Sequence, residues 1–270
     1  MTIVLITAGF AAALALLLGL ALGFFKEFFR VPEDPLKGKI RDVLPGANCG
    51  GCGFPGCDGY AAAVAEGGDI TRCTAGGKAV ADQLAAIMGV AAAEITAMVP
   101  VCCCLGGEGV GIPRGIYNGL KTCRGAKLTG GTKLCSWGCI GFGDCVQVCR
   151  FGALSMGKDG LPRVDRAKCT GCKVCVTECP QGVLKVVPRD KQITLALCSN
   201  RSPIRSAIRK TCRVGCIKCG ICVKNCPEQC IALEDGIPVV NYEKCSACGT
   251  CEQKCPTKIM RVFGKAPAVS

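Results

Sequence analysis

Histidine is absent from all 270 residues. That excludes a Ser-His-Asp triad, a histidine-ligated haem and a Rieske centre. No P-loop is present. The glycine-rich stretch from Gly106 to Gly111 does not match G-x-G-x-x-G, and it follows cysteines in place of a strand, so no nucleotide site is expected there. Charge is missing from Ile3 to Phe25, and no Lys or Arg precedes that stretch. A signal peptide would need a basic leading region and an A-x-A-like cleavage site. The basic leading region is missing, so a retained membrane anchor is the expectation.

Cysteine is abundant, at 27 residues. A disulfide scaffold is usually small and secreted, with irregular spacing. Zinc sites pair two C-x2-C knuckles, often with histidine. Neither fits Cys169-x2-Cys172-x2-Cys175-x3-Cys179-Pro180, which recurs from Cys216 to Cys226-Pro227 and from Cys245 to Cys255-Pro256. This is the run that holds [4Fe–4S] clusters in bacterial ferredoxins, where the fourth cysteine of each run ligates the other cluster. A looser run, Cys135-x3-Cys139-x5-Cys145-x3-Cys149-Arg150, stands upstream. The exchange rule then predicts Cys135, Cys139, Cys145 and Cys179 at one cluster, and Cys149, Cys169, Cys172 and Cys175 at the next. It likewise joins Cys216, Cys219, Cys222 and Cys255, and then Cys226, Cys245, Cys248 and Cys251.

A fifth set differs in spacing: Cys49, Cys52, Cys57 and Cys73 follow C-x2-C-x4-C-x15-C, with glycines that let the backbone wrap a cluster. Five [4Fe–4S] clusters are therefore expected. Seven cysteines remain: Cys102, Cys103, Cys104, Cys123, Cys198, Cys212 and Cys230. Cys230 reads as a small core residue. Cys104 with Cys123, and Cys198 with Cys212, precede the two modules. None of their spacings is a recognised run, so buried reduced thiols are the expectation, with a sixth cluster or a redox-active pair as alternatives.

The formal charge of +13 suggests nucleic acid or anionic lipid at first sight. Each oxidised cluster with four thiolates carries about −2, so five would cancel most of the excess, and no nucleic-acid partner is expected. Arg201, Arg205, Arg209, Lys210 and Arg213 form a basic run, read equally as a steering patch for an acidic electron carrier or as a solvated linker face.

The apolar stretch is long enough to cross a bilayer. Lys26 and Arg30 follow it directly, which places the N-terminus outside and the rest in the cytoplasm. Ala11, Ala15, Gly19 and Gly23 share a face suited to helix pairing. The predicted organisation is an anchor at 1–29, a linker at 30–41 and a small, mostly α [4Fe–4S] domain at 42–100. A connecting region at 101–130, a ferredoxin-like module at 131–190, a linker at 191–211, a second module at 212–264 and a tail at 265–270 follow. The class is α+β. Alanine-rich stretches at 61–65 and 79–93 read as helices, and Asp159-Gly160 and Asp235-Gly236 as hairpin turns.

The N-terminal helix, the segment CGGCGFPGCDGY from Cys49 to Tyr60 with Cys73, the stretch from Cys135 to Cys145 and the C-terminal ferredoxin runs together resemble the B subunits of the Rnf complexes, membrane-bound ferredoxin:NAD oxidoreductases. The resemblance covers nearly the full length. It implies a single-pass iron–sulfur subunit in the cell (inner) membrane that takes electrons from soluble ferredoxin. Those electrons would pass to partner subunits holding flavin and NAD, coupled to Na+ or H+ export. No flavin-attachment motif and no intramembrane charge assigns those tasks to this chain. Outer-sphere transfer needs no acid, base or nucleophile, so no catalytic residue is expected. A polyferredoxin subunit of a hydrogenase or formate-linked enzyme, and a non-catalytic iron–sulfur carrier or sensor, are the rival readings.

Overall fold

The computed structural model describes residues 1–29, 34–91 and 94–264. Arg30, the start of the expected linker and the expected tail at 265–270 lie outside the described residues. The N-terminal helix α1 (Thr2–Phe28) is apolar over Leu5–Phe28, long enough to cross a membrane, and none of that span is buried among the described residues.

Most of the expected linker at 30–41 is instead helix α2 (Pro35–Val43). Asp34 starts it by accepting the Leu36 amide at 2.8 Å, with proline at the first helical position. Ile40 and Leu44 then bury against α3 (Cys57–Ala65). The helix α4 (Gly77–Met88) covers the other side and ends at Gly89 in the left-handed region, short of the expected residue 93. This small domain is α-helical, as expected, and its core of Ile40, Tyr60, Val64 and Leu84 is fully buried.

The remainder is built as two similar halves. The first comprises β1 (Met98–Cys102), α5 (Cys123–Leu128), α6 (Asp144–Gln147), β2 (Leu154–Met156), β3 (Pro162–Val164), α7 (Val174–Glu178) and β4 (Leu184–Pro188). The second comprises β5 (Ile193–Ala196), α8 (Arg205–Thr211), α9 (Ile221–Lys224), β6 (Ile231–Glu234), β7 (Ile237–Val240), α10 (Thr250–Lys254) and β8 (Met260–Phe263). Both expected hairpins form, β2 with β3 and β6 with β7. In the tighter one Asp235 and Gly236 both have positive φ, as a two-residue primed turn requires.

Two boundaries move. Strand β1 spans the expected boundary at residue 100 and pairs antiparallel with β4, burying Val99 on Val187. Strand β5, inside the expected linker at 191–211, pairs in the same way with β8, and α8 follows it. The closing strand of each ferredoxin-like module has an open edge. The chain just upstream of that module covers it, which satisfies the edge amides and carbonyls. Each half therefore starts earlier than its cysteine run.

Candidate functional site

The structure gathers cysteines into groups of four. Cys49, Cys52, Cys57 and Cys73 line one cavity, and Cys216, Cys219, Cys222 and Cys255 another, each with about 330 Å³ of space between atoms, part of it open to solvent. Burial pushes the Cys175 thiol up to about 12, and Cys172, Cys169 and Cys149 beside it act in the same direction. Cys251 is raised by burial, with Cys248 and Cys226 adding to the shift, and Cys245 shares with Cys226 the neighbourhood of Cys230. These four groups are the expected sets.

The remaining expected set is not brought together as written. The third cavity, of about 360 Å³, is lined by Cys123, Cys139, Cys145 and Cys179. Cys135 instead lines a fourth cavity, of about 400 Å³, with Cys104, Cys198 and Cys212. The cause lies in the backbone of the cysteine runs. In each regular run two residues in the left-handed region flank the second cysteine: Gly171 and Lys173 around Cys172, Lys218 and Gly220 around Cys219, Ala247 and Gly249 around Cys248. This turn sets the second cysteine just before a short helix. Gly141 and Gly143 repeat the turn, but the residue between them is Phe142. The spacing Cys139-x5-Cys145 is thus a regular run whose middle cysteine has become phenylalanine.

Phe142 packs on Tyr117, with ring centroids 5.4 Å apart, and Cys123 supplies the missing sulfur from the start of α5. Asp144, buried between the two, accepts the amides of Cys123 and Arg124 at 2.9 and 3.2 Å and pins that helix end in place. Sequence reasoning missed Cys123 as a member of this set. The usable signal was the Gly-Phe-Gly at 141–143, which keeps the turn and loses the thiol.

Among the described residues no three cysteines, aspartates or glutamates stand close enough to share a single metal ion. A mononuclear site draws thiolates to about 2.3 Å from its metal, whereas a cubane interposes iron and sulfide and holds its four ligands far apart around an enclosed space. The cavities fit the second arrangement. Backbone amides also point at the sulfurs, as Gly171 does at Cys169, 3.4 Å away. The hydroxyls of Thr74, beside the cavity cysteine Cys73, and of Thr170, beside Cys169, are buried without a hydrogen-bond partner, and cluster sulfides would provide acceptors. None of the 27 cysteines is in a disulfide. Burial lifts Cys145 to about 12 and Cys222 to about 11, so these thiols ionise only with a compensating cation such as iron.

Two of the spare thiols sit against cavity cysteines. Cys230, expected as a small core residue, is buried and stands 3.5 Å from Cys226 Sγ. Cys102 and Cys139 share a hydrogen bond that raises Cys102 and lowers Cys139. Cys103 is buried, lines none of the four cavities and donates to the Val101 carbonyl at 3.9 Å.

The small domain docks where the first half carries its second cysteine set. Arg150, in place of the usual closing proline, donates to the carbonyls of Ala47 and Asn48 at 3.1 and 2.9 Å. A Cβ on Gly51 would stand 2.6 Å from the Cys172 carbonyl oxygen. Gly51→Ala is therefore expected to push the two domains apart, weakening their contact by about 1–3 kcal/mol. Time-resolved reduction should show the small domain's cluster filling at least about tenfold more slowly, with iron content unchanged.

The 4Fe-4S dicluster domain family matches residues 134–183 and 215–259, and the putative Fe-S cluster family matches residues 44–75. The chain is 40% identical over 244 residues to the B subunit of the Na(+)-translocating ferredoxin:NAD(+) oxidoreductase complex of Acetobacterium woodii, covering 90% of this chain and 73% of that relative. It is 38% identical to the B subunit of the ion-translocating oxidoreductase complex of Methanosarcina acetivorans, over 87% of this chain and 89% of the relative. Identity is 39% to the B subunit of the proton-translocating ferredoxin:NAD(+) oxidoreductase complex of Clostridium ljungdahlii, over 87% and 83%. With iron–sulfur domains in register and this likeness along most of its length, the chain belongs to the B-subunit family of the ion-translocating (Rnf) oxidoreductase complexes.

Proposed function

We propose that this chain is the membrane-anchored subunit through which an Rnf-type complex takes electrons from reduced ferredoxin and relays them to partner subunits that reduce NAD, with Na+ or H+ moved across the membrane. Its [4Fe–4S] sites would be Cys49, Cys52, Cys57 and Cys73; Cys123, Cys139, Cys145 and Cys179; Cys149, Cys169, Cys172 and Cys175; Cys216, Cys219, Cys222 and Cys255; and Cys226, Cys245, Cys248 and Cys251. The clusters supply one-electron redox chemistry. The chain holds the ligands, excludes water and directs donors at the sulfurs. Helix α1 anchors it with its N-terminus outside and the cluster domains in the cytoplasm.

One observation carries the direction of flow. Of the 27 cysteines only Cys219 and Cys248 are exposed, and both belong to the last module. Electron transfer needs close approach, so ferredoxin docks there and electrons run toward the small domain and the membrane. The exposed basic side chains of Arg205, Arg209 and Lys210 on α8 support steering of an acidic carrier to the same half of the chain.

The test is anaerobic purification of the tagged chain from its native membrane with whatever accompanies it, followed by an assay of ferredoxin-dependent NAD reduction. Activity is expected and should vanish when this subunit is stripped away. Cys248→Ser should stop ferredoxin oxidation in an assembled complex. An unchanged rate would overturn entry at the C-terminal module. A clean iron–sulfur protein with other partners and no such activity would overturn the assignment to this reaction.

A further inference from the structure

The five cluster sites leave the two ferredoxin modules without a connection. Within each module, the exchanged fourth cysteine keeps two cluster sites adjacent, and the docking of Gly51 on Cys172 brings the small domain's site to the first module. None of the five sites bridges the first module to the second. The cavity of Cys104, Cys135, Cys198 and Cys212 lies in that gap.

Its four cysteines are two equivalent pairs. Cys135, Cys139, Cys145 and Cys149 recur 77 residues later as Cys212, Cys216, Cys222 and Cys226, so Cys135 corresponds to Cys212. Cys104 follows β1 by two residues and Cys198 follows β5 by two. Their places in the hydrogen-bond pattern agree: the Cys103 amide donates to the Val183 carbonyl, and the Leu197 amide donates to Ile259. The Cys139 amide donates to Cys104 Sγ at 3.4 Å, and the Cys216 amide donates to Cys198 Sγ at the same distance. Each half thus gives one cysteine from beside its edge strand and one from four residues before its first run.

The surroundings are those of a ligated sulfur set. The Gly106 amide also donates to Cys104 Sγ, at 3.4 Å, and the buried Asn200 side chain donates to Cys135 Sγ at 3.5 Å. Donors directed at sulfur favour thiolate over thiol. The cavity is similar in size to the other three, at about 400 Å³ against about 330–360 Å³ of space between atoms. The spacing hid this site because no run supplies it; each half holds only two of its ligands.

We propose that Cys104, Cys135, Cys198 and Cys212 hold a sixth [4Fe–4S] cluster that joins the two ferredoxin modules, both clamping them together and relaying electrons between them. The proposal rests on the cluster reading of the other cavities. A single backbone amide separates Cys104 Sγ from Cys139, in a site of the first module, and another separates Cys198 Sγ from Cys216, in a site of the second. The order is then second module, bridge, first module, small domain. One electron at a time leaves reduced ferredoxin, which is oxidised, and each site is reduced by the one before it. No bond is made or broken, and no proton follows.

The test uses the full chain, purified anaerobically in its complex, with iron and acid-labile sulfide counted per chain. Six clusters predict about 24 iron atoms. Cys212→Ser should bring this to about 20, while ferredoxin still reduces the second module's clusters and the first module's stay oxidised. A wild-type chain with about 20 iron atoms and a Cys212→Ser chain identical to it would overturn the sixth cluster and leave the five-cluster reading standing. Absence of any cubane signal would overturn both. If Cys212→Ser lost iron throughout by misfolding, Asn200→Leu decides. Loss of its donor should lower the midpoint potential of one cluster in an EPR redox titration. Unchanged midpoints would overturn the proposal.

Discussion

Cys123→Ser should leave the assembled complex without ferredoxin-dependent NAD reduction, the rate falling by at least about 100-fold, or about 2.7 kcal/mol in effective barrier. Cys123 stands outside every ferredoxin-type run, yet it lines the cavity with Cys139, Cys145 and Cys179. Serine there breaks the relay inside the first module. Cys135→Ser separates the two assignments. It spares that cavity, so after direct chemical reduction with dithionite the magnetic interaction between the clusters of the first module should persist in its EPR spectrum and disappear in Cys123→Ser. The reverse result would restore Cys135 to the set that spacing alone suggests. Asp144→Ala should resemble Cys123→Ser in milder form, because the Cys123 and Arg124 amides then lose their acceptor.

Removing iron and sulfide should unfold both ferredoxin modules while leaving most of the small domain's helix. Among the described residues every sheet is two-stranded and the strands span three to five residues, a size that is marginal without further support. In the core of the second module seven of the twelve buried residues are cysteines, among them Cys216, Cys222, Cys251 and Cys255. The clusters are therefore the core, and their binding energy is folding energy, as in structural zinc sites. Their loss would exceed a net stability of about 5–15 kcal/mol. The small domain differs: only Cys57 and Cys73 among its ten buried core residues are cysteines, the rest including Ile40, Tyr60, Val64 and Leu84, and Tyr60 donates to the Asp69 carbonyl at 3.0 Å. Thermal melts followed by circular dichroism should show the holo transition replaced by a non-cooperative slope with residual helix. A cooperative apo transition at the holo temperature would show that the modules fold on aliphatic packing alone.

Regular spacing reaches far into this molecule. In the intact C-x2-C-x2-C-x3-C-P run from Cys216, the first three cysteines line one cavity with Cys255, the fourth cysteine of the other run of that module. Local chemistry is equally readable: the Asp235-Gly236 turn, the alanine-rich helices and the uncharged N-terminal helix follow from short-range preferences. Reading fails where a ligand or an edge partner arrives from outside the repeat. Phe142 breaks a run and draws in Cys123 from 16 residues before the run's first in-set cysteine, Cys139. β5 and α8 read as a linker because neither shows a periodic apolar pattern; pairing with β8 and burial of Ile208 hold them in place.

The sequence by itself determined the chemistry: 27 cysteines, no histidine and three unbroken ferredoxin runs admit iron–sulfur electron transfer and little else. Only the tertiary structure decided which cysteines share a cavity wherever the run is interrupted or divided. A cluster site is closed by sulfurs converging in space, and spacing reports that convergence only while all but one of the ligands lie on the same turn. Cys104, Cys135, Cys198 and Cys212 come from two modules, two from each. They meet because the edge strands β1 and β5 carry Cys104 and Cys198 back to the modules' first cysteines.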